Sequence, residues 1–398
     1  MNVEIASQLE SPLVTSLQSS LVSKPFNYSL KTNYPILSKL NVSVSPDTTP
    51  SGAAHGRQIT FKVPRYGLLS GMVIKMDIAT SATKTATLTR LNTLGTRIFS
   101  NVSLRSHSRV IQDNSSYDIL SRMNEAPTEQ FNAYENLTTG SPAVNNNVTS
   151  SIVYTPLFFF FGERSEAYLD ASFCEPLEVV CTVNTQAGIW GDSELLSTIS
   201  FNSLSLECFY IQLENGVQQS LTAAQFPPSK NLTLLANDCY VESPTSVVYA
   251  SGTTLSMSQS LKCKNVAYST YVYAHNKTTN ALLAINSATL IANGQTVVST
   301  DRRTQIFDNS KLGFIHNVPG SSSGSNSYSI YYGLDVSKTY LSGVQAFASL
   351  NEPILSVVID TSSGVSANDV IELLIVHEYC TLLSISSDSG TVSRSLTN

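Results

Sequence analysis

Glu175-Pro176-Leu177-Glu178-Val179-Val180 and Glu352-Pro353-Ile354-Leu355-Ser356-Val357-Val358 open two β-rich runs of the same style, 177 residues apart. A second pair of segments keeps a similar offset. Val102-Ser103-Leu104, followed by Arg109-Val110-Ile111-Gln112-Asp113, resembles Ala288-Thr289-Leu290, followed by Gln295-Thr296-Val297-Val298 and then Asp301, 186 residues on. A near-constant offset carried by two separate matches predicts a duplicated domain. Two similar β-domains in tandem, with no visible chemical motif, point to building material more than to an enzyme.

Working outward from these matches, the chain turns β at Gly56. Gln58–Val63 alternates apolar and polar with period two, as a half-buried strand does, and Pro64 ends it. Gly71–Ala79, Arg97–Arg105 and Arg109–Gln112 continue the pattern, with Ser106-His107-Ser108 as a tight turn. Asp113 or Asn114 then caps a brief helix over Ser115–Asn124, with Tyr117, Ile119, Leu120 and Met123 inward. Residues 125–150 read as a long loop, and strands resume at Ile152–Phe161, Leu177–Thr182 and Leu204–Leu213. Glu214–Asn231, with Pro227-Pro228, reads as a linker. Strand candidates in the second half are Thr245–Ala250, Leu255–Leu261, Val266–Ala274, Ala288–Ala292, Gln295–Thr300, Tyr328–Tyr332, Ile354–Ile359 and Val370–Glu378. The expected fold is all-β: two tandem eight-stranded jelly-roll sandwiches with a short N-terminal helix. The expected organisation is an arm over 1–55, a first roll over 56–215, a linker over 216–231, and a second roll with a C-terminal tail over 232–398.

Two segments stand out as candidate contact sites. Ser11-Pro12 is a helix-start signal, and Leu13, Val14, Leu17, Leu21 and Val22 then form an apolar stripe on one helix face. Such a helix packs either on its own domain or, as an arm, on a neighbouring subunit or a membrane. Nothing in residues 26–55 reads as a stable core element. The second segment is Phe158-Phe159-Phe160-Phe161. In a strand, Phe158 and Phe160 point one way and Phe159 and Phe161 the other. Both faces then need cover, from a helix, a long loop or another subunit.

Composition bounds the function. Hydrophobic residues make up 42% of the 398, enough for real cores, while charged residues are only 13%, against a usual share of about 25%. A surface of hydroxyls and amides suits packing against neighbours. The formal charge is −6 and no Lys/Arg run exceeds two residues, so a phosphate-neutralising basic face is not expected. No basic segment followed by an apolar one marks a signal peptide, and no run approaches the ~18 apolar residues of a membrane helix. The six cysteines, at 174, 181, 208, 239, 263 and 380, show no metal spacing and read as free thiols, several of them in apolar runs.

Candidate chemistry is sparse. Gly320-Ser321-Ser322-Ser323-Gly324 has the Gly-x-Ser-x-Gly form, but it lies in a low-complexity loop rather than between a strand and a helix. None of the five histidines has a His or Cys at ligand spacing, and His377 reads as a core or interface residue. No catalytic, metal or cofactor residue is assigned, no cofactor is expected, and the chain is expected not to be an enzyme.

Several blocks resemble the double jelly-roll major capsid proteins of icosahedral DNA viruses. Phe61-Lys62-Val63-Pro64-Arg65-Tyr66-Gly67-Leu68-Leu69 is similar to that family's first strand and exit turn, with Leu68 where an Asp is common. Ile98–Leu104 with Val110-Ile111 is similar to the block that often carries a Gly-Gly turn, here Ser106-His107-Ser108. Tyr332-Gly333-Leu334, Leu341-Ser342-Gly343, Phe347 and Leu350 resemble a later block, with Leu341 in place of a Pro and Ala346 in place of an Asn. Tyr379 with Leu382-Leu383-Ser384-Ile385 resembles the last strand, with Ser384 in place of an Arg. The resemblance implies a homotrimeric, pseudo-hexagonal capsomer that tiles an icosahedral shell. It implies a virion location after assembly in host cytoplasm or nucleus. The implied partners are further capsomers, minor capsid or penton proteins, and an internal membrane in some members. It also implies outward loops, here 125–150 and 303–327. In that setting Leu13, Leu17, Leu21 and Phe158–Phe161 become candidate inter-subunit or membrane contacts. The alternative from another class is a β-sandwich glycan-binding module of the lectin or adhesin kind, using Trp190 or Tyr328, Tyr331 and Tyr332 as stacking platforms.

Overall fold

The computed structural model describes residues 36–81, 93–126, 128–140, 148–161, 168–190, 198–213, 232–305, 327–332 and 345–394. Leu13, Leu17 and Leu21, the linker over 216–231 and the loop over 306–326 lie outside them.

The first half runs β1 (Ile36–Val44), β2 (Gln58–Lys62), β3 (Leu68–Ser81), α1 (Leu94–Arg97), β4 (Phe99–Ser106), β5 (Arg109–Ser115), α2 (Ser116–Glu125) and α3 (Thr128–Thr139). It continues with β6 (Val148–Leu157), β7 (Leu169–Asp170), β8 (Leu177–Val183), α4 (Gln186–Trp190) and β9 (Thr198–Leu213). The second half runs β10 (Leu232–Val241), β11 (Thr245–Val248), β12 (Thr254–Ser260), β13 (Val266–Asn276), β14 (Ala281–Leu283), β15 (Ile285–Ala292) and β16 (Gln295–Asp301). It closes with β17 (Ser327–Tyr331), β18 (Gln345–Ala346), β19 (Ile354–Asp360), β20 (Val370–Ile385) and β21 (Val392–Arg394).

All pairings are antiparallel, and they repeat. In the first half one sheet has the order β1-β9-β3-β6 and the other β2-β8-β4-β5. In the second half β10-β20-β13, extended by β17, answers the first order, and β12-β19-β15-β16 answers the second. Even the short strands correspond, since β7 pairs with the start of β3 and β18 with the start of β13. The two Glu-Pro segments therefore lead into equivalent strands, β8 and β19.

The register adds a correction to the sequence match. Val102 faces Cys181 and Leu104 faces Val179, whereas Ala288 faces Val357 and Leu290 faces Leu355. If β4 answers β15 at an offset of 186, then Cys181 answers Val357, an offset of 176 rather than 177. A one-residue slip exchanges the faces of a strand. Leu177 is accordingly buried, while Ile354, its counterpart in the motif, is 37% exposed and Pro353 turns inward.

Each sandwich encloses its own core by alternation. Ile59, Phe61, Ile74, Met76, Leu104, Val179 and Leu206 meet in the first, and Met257, Val272, Leu290, Val357, Ile359 and Ile375 in the second. Each such fully buried large side chain contributes about 1.5–3 kcal/mol.

Three sequence expectations change. Residues 36–44 are not arm but an edge strand, β1, paired with β9 from Ile36 to Val44. Leu40, Val42 and Val44 pack against the first core, a short alternation masked by the polar residues around it. Residues 128–139 are not loop but a helix, α3, which lies on the first sandwich and sends Phe131 into its core. The expectation of a loop therefore fails for this stretch. Finally, β6 ends at Leu157, so Phe158–Phe161 are not strand. Their backbone leaves β3 and is held by side chains of β5: Asn114 Nδ2 donates to Phe158 O, and Phe160 N donates to Gln112 Oε1 at 2.9 Å.

Candidate functional site at the joint between the sandwiches

The four phenylalanines assigned to contact sit differently from one another. Phe158, Phe159 and Phe161 are buried within the single chain, and Phe160 is half-buried. The cover is a helix of the same chain: Tyr134 of α3 meets Phe158 edge-on at 5.4 Å between ring centroids. Burial leaves Phe158, Phe159 and Phe161 no surface to offer another subunit.

The residues that do converge lie where the two sandwiches meet. Helix α2 is the wedge. Ser115 caps it, accepting from Asp118 N while Asp118 Oδ2 accepts from Ser115 N at 2.6 Å, a reciprocal capping box. Its apolar side divides between two cores. Ile119 and Met123 enter the first sandwich, and Leu120 enters a cluster with Tyr271, Tyr273, Leu374 and Val376 on the outer face of β13 and β20. Ser121 Oγ lies 2.7 Å from Tyr273 Oη, and the rings of Tyr117 and Tyr273 are 5.5 Å apart. Nearby, Arg97 Nη1 donates to Asn280 O at 2.6 Å, and Asn280 Nδ2 donates to Ile189 O.

The C-terminal hairpin is the second fastener. Leu383, Ile385 and Val392 belong to the core of the first sandwich, although they follow the whole second one in sequence. Glu175 N donates to Gly390 O at 3.0 Å, and the Glu175 carboxylate accepts from Thr391, Ser106 and Arg109. The hydrogen bond from Thr391 is the largest influence holding this carboxyl below its usual range.

Between these fasteners lies a buried charged cluster. Asp238 pairs with Arg394 and accepts from Tyr379 Oη at 3.2 Å, and Arg122 Nη2 reaches Cys239 Sγ at 3.7 Å. Burial raises Asp238 and pushes Asp118 up to about 6, despite the capping hydrogen bonds and the nearby Arg122. These contacts latch the C-terminal segment and α2 to the second sandwich. Among the described residues no group of three or more His, Cys, Asp or Glu could hold a metal, and no helix could cross a membrane. His377, expected in the core or at an interface, is fully buried, with Nδ1 2.9 Å from Thr270 Oγ1, and burial lowers its pKa. Trp190 and Tyr328, candidate stacking platforms, are buried. Cys174, Cys181, Cys208, Cys239 and Cys263 are free thiols, all but Cys239 buried.

Sequence reading missed the joint. Its legible signals were Ser115-x-x-Asp118 as a capping box and Asp238 inside an otherwise strand-like run. Nothing local marks Arg394 or Thr391.

The repeated topology defines the class: an all-β chain of two tandem jelly rolls. No protein-family model matches the chain, and no curated protein matches it in sequence. Solved structures do match. PBCV-1 VP54, fitted into a reconstruction of the virophage Sputnik, superposes with a TM-score of 0.67 at 15% identity, over 92% of this chain and 99% of that one. The Faustovirus major capsid protein gives a TM-score of 0.61 at 10% identity, over 89% and 92% of the two chains. The mavirus major capsid protein gives 0.53 at 10%, over 92% and 93%. The chain thus has the double jelly-roll fold of these viral major capsid proteins, and the matches do not favour the glycan-binding alternative.

Proposed function

We propose that this chain is a structural major capsid protein that forms a trimeric, pseudo-hexagonal capsomer and tiles an icosahedral virion shell. One observation carries the reading: both halves repeat the same two-sheet order, in a chain that superposes on viral capsid proteins over about nine-tenths of its length. The low charge content supports it, because obligate interfaces of about 2,000–5,000 Å² disfavour charge at their centres. Function in this reading is shape and burial, and no bond is made or broken. Partners are further copies of the chain, together with minor capsid or penton proteins or a membrane beneath the shell. The stripe of Leu13, Leu17 and Leu21 docks on one of these, and Phe160 is the one aromatic of its run left for a subunit contact. Light scattering of the purified protein tests the reading. A stable species of three times the 43.0 kDa chain mass is expected, and a monomer at all concentrations would overturn it.

A further inference from the structure

The contact between the two sandwiches uses different halves of the repeated unit. The first sandwich supplies a helix, α2, and the second supplies a sheet face, the outer side of β13 and β20. Each of these parts has a counterpart in the other sandwich that the chain does not use on itself.

The ladders fix the counterparts residue by residue. β4 with β5 and β15 with β16 pair in the same steps, with a bulge at Leu104/Arg105 and again at Leu290/Ile291. The offset of 186 from Val102 to Ala288 therefore also carries Ser115 onto Asp301 and Tyr117 onto Arg303. Asp301 caps a helical turn at 302–305 as Ser115 caps α2, its Oδ1 accepting from Arg303 N at 2.8 Å and Thr304 N at 2.9 Å. On the sheet side, β3 with β9 bulges at Leu69/Gly71 where β13 with β20 bulges at Ala267/Ser269. Lys75 thus answers Tyr273, Asp77 answers His275, Glu207 answers Val376 and Phe209 answers Glu378.

The two faces differ in what covers them. Val376 and Glu378 are fully buried, and the Tyr117 ring lies 5.5 Å from Tyr273 and 6.4 Å from His275. On the first sandwich the same face is open. Phe209 is 40% exposed, Lys75 is exposed, and Ile152, 42% exposed, pairs with Asp77 from the neighbouring β6.

Both sides of the contact have also changed together. Where the joint sets a tyrosine against a tyrosine and a histidine, the unused halves hold Arg303 on the helical turn and Lys75 and Asp77 on the face. Arg303 is exposed, and its side chain makes no ion pair among the described residues. Asp77 accepts from Ser150 Oγ at 2.7 Å and has no cation within ion-pair distance among the described residues. Lys75 acts on Glu207 instead. Burial raises that carboxyl, but hydrogen bonds from Ser43, Ser205 and Asn41, together with Lys75, hold it below its usual range.

We propose that a second copy of the chain docks its 302–305 turn on the outer face of β3 and β9, with Arg303 of one copy against Asp77 of the next. The contact repeats between copies what α2 does within one, with a charge-assisted pair in place of the stacked rings. It rests on the capsid reading, to whose trimer it gives a surface. A head-to-tail contact of this kind closes into a ring when the rotation between copies allows, and the trimer is such a ring.

Sedimentation of the full chain over a dilution series tests this, with urea below the unfolding transition to bring dissociation into range. R303E and D77K, each placing like charges together, are expected to raise the concentration at which the trimer dissociates at least about tenfold. D77K/R303E restores opposite charges and should recover most of that loss. Circular dichroism checks that each variant is folded, and R303Q with D77N replaces a reversal that is not. A parent trimer whose dissociation the folded single variants leave unchanged, or that the double variant does not recover, overturns this contact and leaves the capsid reading standing. A parent chain that is monomeric at all concentrations overturns both.

Discussion

Thr391 Oγ1 donates a hydrogen bond to Glu175 Oε1 at 2.6 Å across 216 residues of chain. Glu175 opens the very motif that betrays the duplication, yet the duplicate does not share its task. Glu352 lies in an exposed turn with φ at +48°. The first copy of the motif is used to hold the end of the chain, so that the second sandwich is fastened to the first by its own last hairpin.

Replacing Glu175 by Ala removes three hydrogen-bond acceptances at once, from Thr391, Ser106 and Arg109. The side chain is 19% exposed, so water takes up part of the loss. A destabilisation on the order of 1 kcal/mol is expected. Faster amide exchange should be confined to residues 386–394, and exchange raised evenly over both sandwiches would mean that the contact is no fastener.

Gly390 is a harder constraint. Its φ is +66°, and a Cβ there would lie 2.2 Å from Phe173 O, a backbone atom that cannot step aside. Gly390→Ala should therefore cost more than Glu175→Ala, about 1–3 kcal/mol. Denaturant melts of the two variants compare them directly, and an alanine variant as stable as the parent would show that the hairpin has freedom to move.

How far the fold was legible follows from which interactions are local. Period-two alternation in Gln58–Lys62 or Ile354–Asp360 reports burial on one face, and the strands are there. β1 was missed because it is an edge strand whose apolar residues, Leu40, Val42 and Val44, are too few to stand out. α3 was missed because its inward residues, Phe131 and Tyr134, are spaced among Asn, Thr and Glu typical of loops. Phe158–Phe161 were read as strand because four phenylalanines favour one, yet the buried Gln112 and Asn114 bond their backbone instead. The joint is built from pairs such as Arg394 with Asp238, 156 positions apart, and no local pattern encodes such a meeting.

The phenylalanines should separate by burial. Phe159 is fully buried, and Phe159→Ala is expected to cost about 3–5 kcal/mol. Phe160 is half-buried, and Phe160→Ala should cost clearly less. In the capsid reading Phe160→Ala weakens self-association more than folding. Equal melting losses in the two variants would contradict the burial difference, and unchanged association in the second would remove Phe160 from the interface.

Deleting residues 1–25 tests the stripe of Leu13, Leu17 and Leu21. The described residues of the two sandwich cores all follow Ile36, and the deletion is expected to leave melting nearly unchanged. In the capsid reading, shell assembly, scored by electron microscopy, should fail. A truncated chain that does not fold would place the stripe in a core.

The joint should also respond to acid through Asp118. Its carboxyl is raised by burial from 3.8 to about 6, with Ser115 and Arg122 opposing the shift and Asp238 adding to it. A carboxyl raised on folding binds its proton more tightly in the native state. The stability it contributes is full below about pH 4 and is lost as pH rises through 6. Asp238 is raised as well and works in the same direction. Glu175, Glu242 and Glu372 are lowered and work in the opposite one, but they are common to parent and variant and cancel in a difference. Asp118→Asn fixes the neutral form and keeps an oxygen for Ser115 N. The stability of the variant relative to the parent should therefore rise between pH 4 and pH 7, read from urea midpoints across that range. Parallel profiles would show that Asp118 stays ionised in the joint, paired with Arg122 more closely than its burial implies.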